Sequence, residues 1–153
     1  MRNVVAFLLE HFADVRDIPQ PQDLGEMLED AGFEYDDISD ALTCVHLLDK
    51  LPEINQSSLH RQQPALRVYH IEELEILSTE IRGLLHFLEH SGTINAMQRE
   101  YIIHALMHLP YDNITLENAK VLALLVLWAH RSELPVLIGD ELMSVLHGKS
   151  TMQ

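Results

Sequence analysis

Apolar positions recur at helical spacing along nearly the whole chain, and stop signals divide that periodicity into seven predicted helices. No alternating run of strand length competes with them. The first helix, over about residues 3–13, sets Val4, Val5, Leu8 and Phe12 on one stripe. It is closed by Asp17-Ile18-Pro19-Gln20-Pro21, where each proline removes a backbone donor. The second carries Leu24, Met27, Leu28 and Ala31, has Asp23 as its cap or opening residue, and stops at Gly32, the residue type suited to a left-handed C′ position. The third, over about 35–50, is expected to bury Ile38, Ala41, Leu42, Val45 and Leu48. It keeps Asp36, Asp37 and Asp40 in its first turns, where the helix dipole favours anions.

From Pro52 to Pro64 the chain turns polar, which marks the one predicted linker, and Arg67-Val68-Tyr69 is expected to be briefly extended. Glu72, Glu73 and Glu75 then open a long fourth helix whose stripe runs through Leu74, Leu77, Ile81, Leu84, Leu85 and Leu88 to Ser91-Gly92. The fifth, about 95–109, uses Ile102, Ala105, Leu106 and Leu109 and ends at Pro110. Thr115 is the expected N-cap of the sixth. That helix is apolar on every side from Val121 to Ala129, so it should be the one around which the others pack. A last helix, about 139–147, carries Leu142, Val145 and Leu146. The expected architecture is a single all-α domain over 1–153. An N-terminal helical subdomain at 1–51, containing a helix-turn-helix-like hairpin, is joined by a polar linker at 52–65 to a C-terminal helical bundle at 66–153. No internal repeat is visible.

Composition narrows the function. With 47% hydrophobic residues the chain has the balance of a globular protein. Ten Lys and Arg against 24 Asp and Glu leave a formal charge of −14, which disfavours direct binding to nucleic acid or to an anionic membrane. Residues 1–51 hold three basic and twelve acidic side chains, a net −9, against −5 for the remainder, so the N-terminal third is the acidic face. The single cysteine, Cys44, excludes an intramolecular disulfide and suits a reducing compartment. The apolar run at the N-terminus breaks at Glu10, too soon for a secretory signal. The longest apolar run, Val121 to Ala129, is less than half of the roughly 20 residues that a membrane span needs. A cytoplasmic location is expected.

Candidate chemistry is sparse. Two histidine pairs at i,i+4, His86 with His90 and His104 with His108, have the spacing by which one helix face binds a transition metal. His86-Phe87-Leu88-Glu89-His90 also matches the His-x-x-Glu-His pattern of inverted zinc peptidases. Helical phase, however, places both pairs opposite the apolar stripes, and no third-ligand segment is apparent, so they are expected to be surface histidines. Cys44 lies at the edge of a stripe without a basic neighbour, as an inert thiol does. Neither a phosphate-cradling glycine loop nor a Gly-x-Ser-x-Gly elbow occurs. No catalytic residue, metal ligand or cofactor is therefore assigned, and the protein is expected not to be an enzyme.

The hairpin around Gly32 has the spacing of a helix-turn-helix, but Glu34, Asp36, Asp37 and Asp40 would then face DNA phosphates. Its Leu28-x-x-x-Gly32-Phe33 pattern, leading into Ala41-Leu42, also resembles ubiquitin-associated-type modules, whose glycine-phenylalanine loop binds proteins. The whole chain resembles the bacterial Smg family of small acidic proteins. The residues that carry this are Asp30-Ala31-Gly32-Phe33 with Asp37-Ile38 and Ala41-Leu42, Arg67-Val68-Tyr69 with Glu72-Glu73, Arg82-Gly83, Phe87-Leu88-Glu89, Arg99-Glu100, and the Leu116 to Trp128 helix with Lys120. Where family members often open the long helix with Thr-Pro, this chain has His70-Ile71. The resemblance implies a bacterial cytosolic setting and brings no assigned activity or cofactor. Family genes tend to lie near those of a DNA-processing protein and a topoisomerase, which implies a partner in such machinery. The expected function is a non-catalytic interaction or regulatory module. Gly32, Phe33, Asp36, Asp37 and Asp40 are its candidate docking residues for a basic protein surface. A DNA-associated regulator and a metal-binding protein acting through the histidine pairs are the alternatives.

Overall fold

A computed structural model of the chain describes residues 1–48, 68–130 and 136–147, and the predicted linker at 52–65 lies outside them. The described residues form eight α-helices and no strand: α1 (Arg2–His11), α2 (Pro21–Asp30), α3 (Tyr35–Leu48), α4 (Ile71–Ile76), α5 (Thr79–His90), α6 (Ala96–His108), α7 (Leu116–Ala129) and α8 (Val136–His147). Single 3-10 turns at Val15–Asp17 and Tyr111–Asn113 lead into α2 and α7. No helix among the described residues is long and apolar enough to cross a membrane.

Helix α7 is the centre. Thr115 caps it by accepting from the Asn118 amide at 3.1 Å, as expected, and Ala119 and every residue from Val121 to Leu127 are buried. A helix without a polar face has to be covered all round. Helices α1, α3, α5, α6 and α8 pack against it. One apolar core consequently runs from Met1, Val4 and Leu8 of the N-terminal segment through Ile102 and Leu106 to Leu142 and Leu146.

Helix boundaries depart from the sequence expectation at three places. The first helix stops at His11 because Phe12 is extended, and Pro21 opens α2 at its first position, where the missing N–H costs nothing. Asp23 lies in that first turn, while Gln20 occupies the N-cap without a side-chain bond. The long fourth helix is two helices. Leu77 is extended, and the Ser78 hydroxyl accepts from the Ile81 amide at 3.2 Å, so α5 starts afresh with its own cap. His70, standing where the family's Thr-Pro would open α4, supplies no side-chain cap. The last helix begins at Val136, earlier than expected. Val68 and Tyr69 carry no strand, and Arg67 lies outside the described residues.

Directional bonds hold the helices in register. The Tyr101 hydroxyl, buried on α6, donates to the Cys44 carbonyl of α3 at 2.8 Å. Asn95 and Gln98 form a reciprocal capping box at the start of α6, which points the Gln98 carbonyl oxygen at the Asn95 amide. The other end of that amide therefore donates to Nδ1 of His130, 3.0 Å away, beyond the last turn of α7. Arg99 spans α6 and α5, its Nη1 lying 2.6 Å from one carboxylate oxygen of Glu89 while its Nε donates to Glu100 at 2.9 Å.

Replacing Leu125, fully buried on α7, by alanine is expected to lower the unfolding free energy by about 2–5 kcal/mol, through lost burial and the cavity left behind. Tyr101→Phe removes only one hydrogen bond and is expected to cost about 1 kcal/mol. Urea unfolding of the two variants beside wild type measures both. A pH dependence is tied to His130, whose partial burial lowers its pKa from 6.5. The folded state prefers the neutral ring, so this stabilisation is complete above 6.5 and is lost as the pH falls toward the lowered value. The urea midpoint of wild type should drop more between pH 7.5 and pH 5.5 than that of His130→Gln, which keeps an acceptor for Gln98 but does not titrate. The difference should be small, because His130 is an exposed residue and solvent screens its interactions.

Candidate functional site

The acidic face is built by the hairpin of α2 and α3. On α2, Leu24 and Leu28 point into the core, and the remaining positions Asp23, Glu26, Glu29 and Asp30 are exposed. The helix closes at Gly32 in a Schellman turn. Gly32, at φ +92°, donates to the Glu29 carbonyl at 3.0 Å, and Phe33 donates to that of Leu28 at 3.2 Å. The turn then exposes Glu34, Tyr35 and Asp36 at the start of α3. Two large apolar side chains stand among these carboxylates: Met27 is 40% exposed and Tyr35 75%.

The five candidate docking residues have different surroundings. Gly32 and Asp36 are exposed. Phe33 is half-buried and packs edge-on against Phe7, whose ring stacks on His11. Asp37 accepts from the N-terminal ammonium of Met1 at 2.7 Å. Asp40 accepts from the Asn113 amide at 2.8 Å, which ties α3 to the 3-10 turn before α7. Burial raises the Asp40 carboxyl above the usual aspartate range, against the opposing pull of Asn113 and the N-terminal ammonium. Asp37 and Asp40 thus have partners within the fold, and the outward charge comes from Glu26, Glu29, Asp30 and Glu34 beside Asp36. Glu26, Glu29 and Asp30 were legible as the polar side of the α2 stripe, but the dipole argument drew attention to the first turn of α3 instead.

Cationic neutralisation of this face is slight. Arg16 is 79% exposed and pairs with Asp14 at 3.2 Å, and Arg2 lies 3.7 Å from Glu117 of α7. Next to the hairpin, a groove of about 250 Å³ runs between the 15–21 segment and α3, floored by Val15, Ile18, Leu24, Leu42 and Val45. Leu42 and Val45 were expected in the core, yet they are only half-buried. The buried stripe of α3 is rotated toward Cys44 and Leu47, because α1 and α6 approach from that side.

Cys44 is more deeply buried than its edge position suggested. Its Sγ lies 3.6 Å from Met1 Sδ, and burial, reinforced by the charge of Asp40, pushes the thiol up to about 12. At neutral pH it is a protonated, inaccessible thiol with no nucleophilic character. Both histidine pairs are exposed, as their phase implied. His86 and His90 stack with ring centroids 4.9 Å apart, and His104 and His108 meet edge-to-face at 4.4 Å. Among the described residues, no group of three or more His, Cys, Asp or Glu side chains converges in a metal-binding arrangement.

Residues 1–150 match the family model described as "Protein of unknown function (DUF494)". Among curated proteins, the chain is similar to "Protein Smg homolog" of Neisseria meningitidis serogroup C, at 48% identity covering 99% of each chain. The proteins of the same description from Chromobacterium violaceum and Bordetella pertussis are 37% and 32% identical, covering 100% and 94% of each chain. No solved structure matches. Full-length similarity of this extent, with the family match over nearly every position, shows that the chain belongs to the bacterial Smg family.

Proposed function

We propose that the protein is a non-catalytic interaction or regulatory module of the bacterial cytosol, whose acidic α2–α3 hairpin docks on a basic surface of a partner protein. The observation that carries this reading is the hairpin itself. Asp23, Glu26, Glu29, Asp30, Glu34 and Asp36 are exposed around the accessible side chains of Met27 and Tyr35, while the nearby Arg2 and Arg16 each face a carboxylate. Complementary charge speeds and orients such docking, and an aromatic or methionine side chain inside the charged ring supplies the desolvated contact that anchors it. The same carboxylates oppose a DNA-binding use of the hairpin, since phosphates would meet them at the start of α3. The inert Cys44 thiol and the pairing of Asp37 and Asp40 within the fold favour a binding role over a catalytic one.

Reversing Glu26, Glu29, Asp30 and Asp36 to lysine leaves the internal partners of Asp37 and Asp40 in place. Capture of a basic protein from nuclease-treated bacterial lysate at low salt should then fall by about tenfold or more, and wild-type capture should disappear at high salt. Equal capture by wild type and variant would remove the hairpin from the interaction.

A further inference from the structure

The groove beside the acidic hairpin, about 250 Å³ in volume, has Val15 and Ile18 on one wall, Leu42 and Val45 of α3 on the other, and Leu24 of α2 at its floor. Leu42 and Val45 are only half-buried there. A Cβ at position 25 of α2 would lie 3.8 Å from Leu42 Cδ1, an ordinary contact, so Gly25 leaves that methyl group uncovered. The wall before α2 is already fixed. Asp14 Oδ1 accepts from the Arg16 amide at 2.9 Å, the Ile18 amide donates to the Val15 carbonyl at 3.3 Å, and Pro19 and Pro21 restrict their own backbone. A surface ordered in advance loses little entropy on binding.

Size and chemistry select the occupant. Cofactors and other small ligands take clefts of roughly 300–1,000 Å³ with a few convergent polar groups. This groove is smaller, and Arg16 on its rim is already held by Asp14. It suits apolar side chains projecting from a partner. Polyproline segments dock on aromatic-lined grooves, and an added strand needs a sheet edge. The described lining residues include no aromatic, and the described residues form no strand. An amphipathic helix laid in the groove, with anchors three and four residues apart, is the mode that fits. Its charge follows from the neighbours. Asp17 next to the groove and Asp23, Glu26 and Glu29 on α2 are exposed, and no described side chain engages their carboxylates.

We propose that the groove and the hairpin form one docking surface for a basic amphipathic helix of the partner. Its leucine-sized anchors enter between Val15, Ile18, Leu42 and Val45, and its lysines or arginines lie over the carboxylates of α2. The proposal rests on the hairpin reading above and adds the form in which the basic surface is presented. The exposed carboxylates contribute mainly encounter rate and orientation, whereas burial of the anchors contributes most of the affinity.

The probe is a capped helical peptide of leucine and lysine, with leucine along one face, beside the same peptide with alanine in place of leucine. Calorimetric titration of the full chain should show the leucine peptide bound about tenfold or more tighter. Methyl NMR of wild type should place its contacts on Val15, Ile18, Leu42 and Val45. Val45→Glu, its thermal unfolding matched to wild type, separates the two contributions by sign. The added carboxylate strengthens a purely electrostatic attraction to lysine, but it weakens the leucine peptide if anchors enter the groove. Equal, salt-sensitive binding of both peptides, tighter binding to Val45→Glu, or methyl shifts away from the groove would each overturn the proposal and leave the hairpin reading standing. Leucine-peptide binding unchanged when Glu26, Glu29, Asp30 and Asp36 are reversed to lysine would overturn both. Groove shifts that grow with protein concentration in the absence of peptide would assign the groove to a second copy of the chain and also overturn it.

Discussion

The rest of the structure depends on the burial of α7, a helix with no polar face. Each of its fully buried leucines and valines contributes about 1.5–3 kcal/mol when removed from water, but only if neighbours cover every side. Five helices meet that requirement, and they come from both ends of the chain, with α1 and α3 on one side of the linker and α5, α6 and α8 on the other. The N-terminal helices therefore complete the same core as the C-terminal bundle. Met1 is drawn in with them, its thioether against Cys44 and its ammonium on Asp37.

Apolar burial has no direction, so it cannot by itself set how the helices are rotated or how far they slide. Polar contacts at the edge of the core supply that information. Tyr101 to Cys44 joins α6 to α3, Gln98 to His130 joins the start of α6 to the end of α7, Arg99 to Glu89 joins α6 to α5, and Asn113 to Asp40 joins the approach to α7 to α3. Three of the four involve α6, which is why that helix is buried on more sides than its apolar stripe required. Leaving one partner of such a contact alone in a dry setting costs more than the bond contributes, and this penalty makes each contact selective for one arrangement.

Charge is distributed according to what the core leaves outside. Helix α2 commits only Leu24 and Leu28 to burial, so its carboxylates accumulate on an outward surface beside Met27 and Tyr35. Helix α6 turns only a narrow edge to solvent, and that edge carries His104 and His108 next to the carboxylates of the α4–α6 cleft. The two regions differ in chemistry: one presents carboxylates around apolar side chains, and the other presents imidazoles.

Local order was legible in the sequence wherever it arises from neighbours along the chain. Helical spacing identified the elements, Thr115 and Gly32 marked their ends, and phase put the four paired histidines outside, because these features depend on residues three to five positions apart. The central place of α7 was legible too, since a helix apolar all round has only one kind of site in a folded domain. The break at Ser78 escaped because Leu74, Leu77 and Ile81 stay in phase across it, and periodicity does not register a new cap inside an unbroken stripe. The rotation of α3 that leaves Leu42 and Val45 on a groove, the depth of Cys44 and the inward pairing of Asp37 and Asp40 were decided by tertiary structure alone. Each depends on a partner far away in sequence, such as Met1, Tyr101 or Asn113, and no local pattern encodes which distant group will arrive at a given helix face.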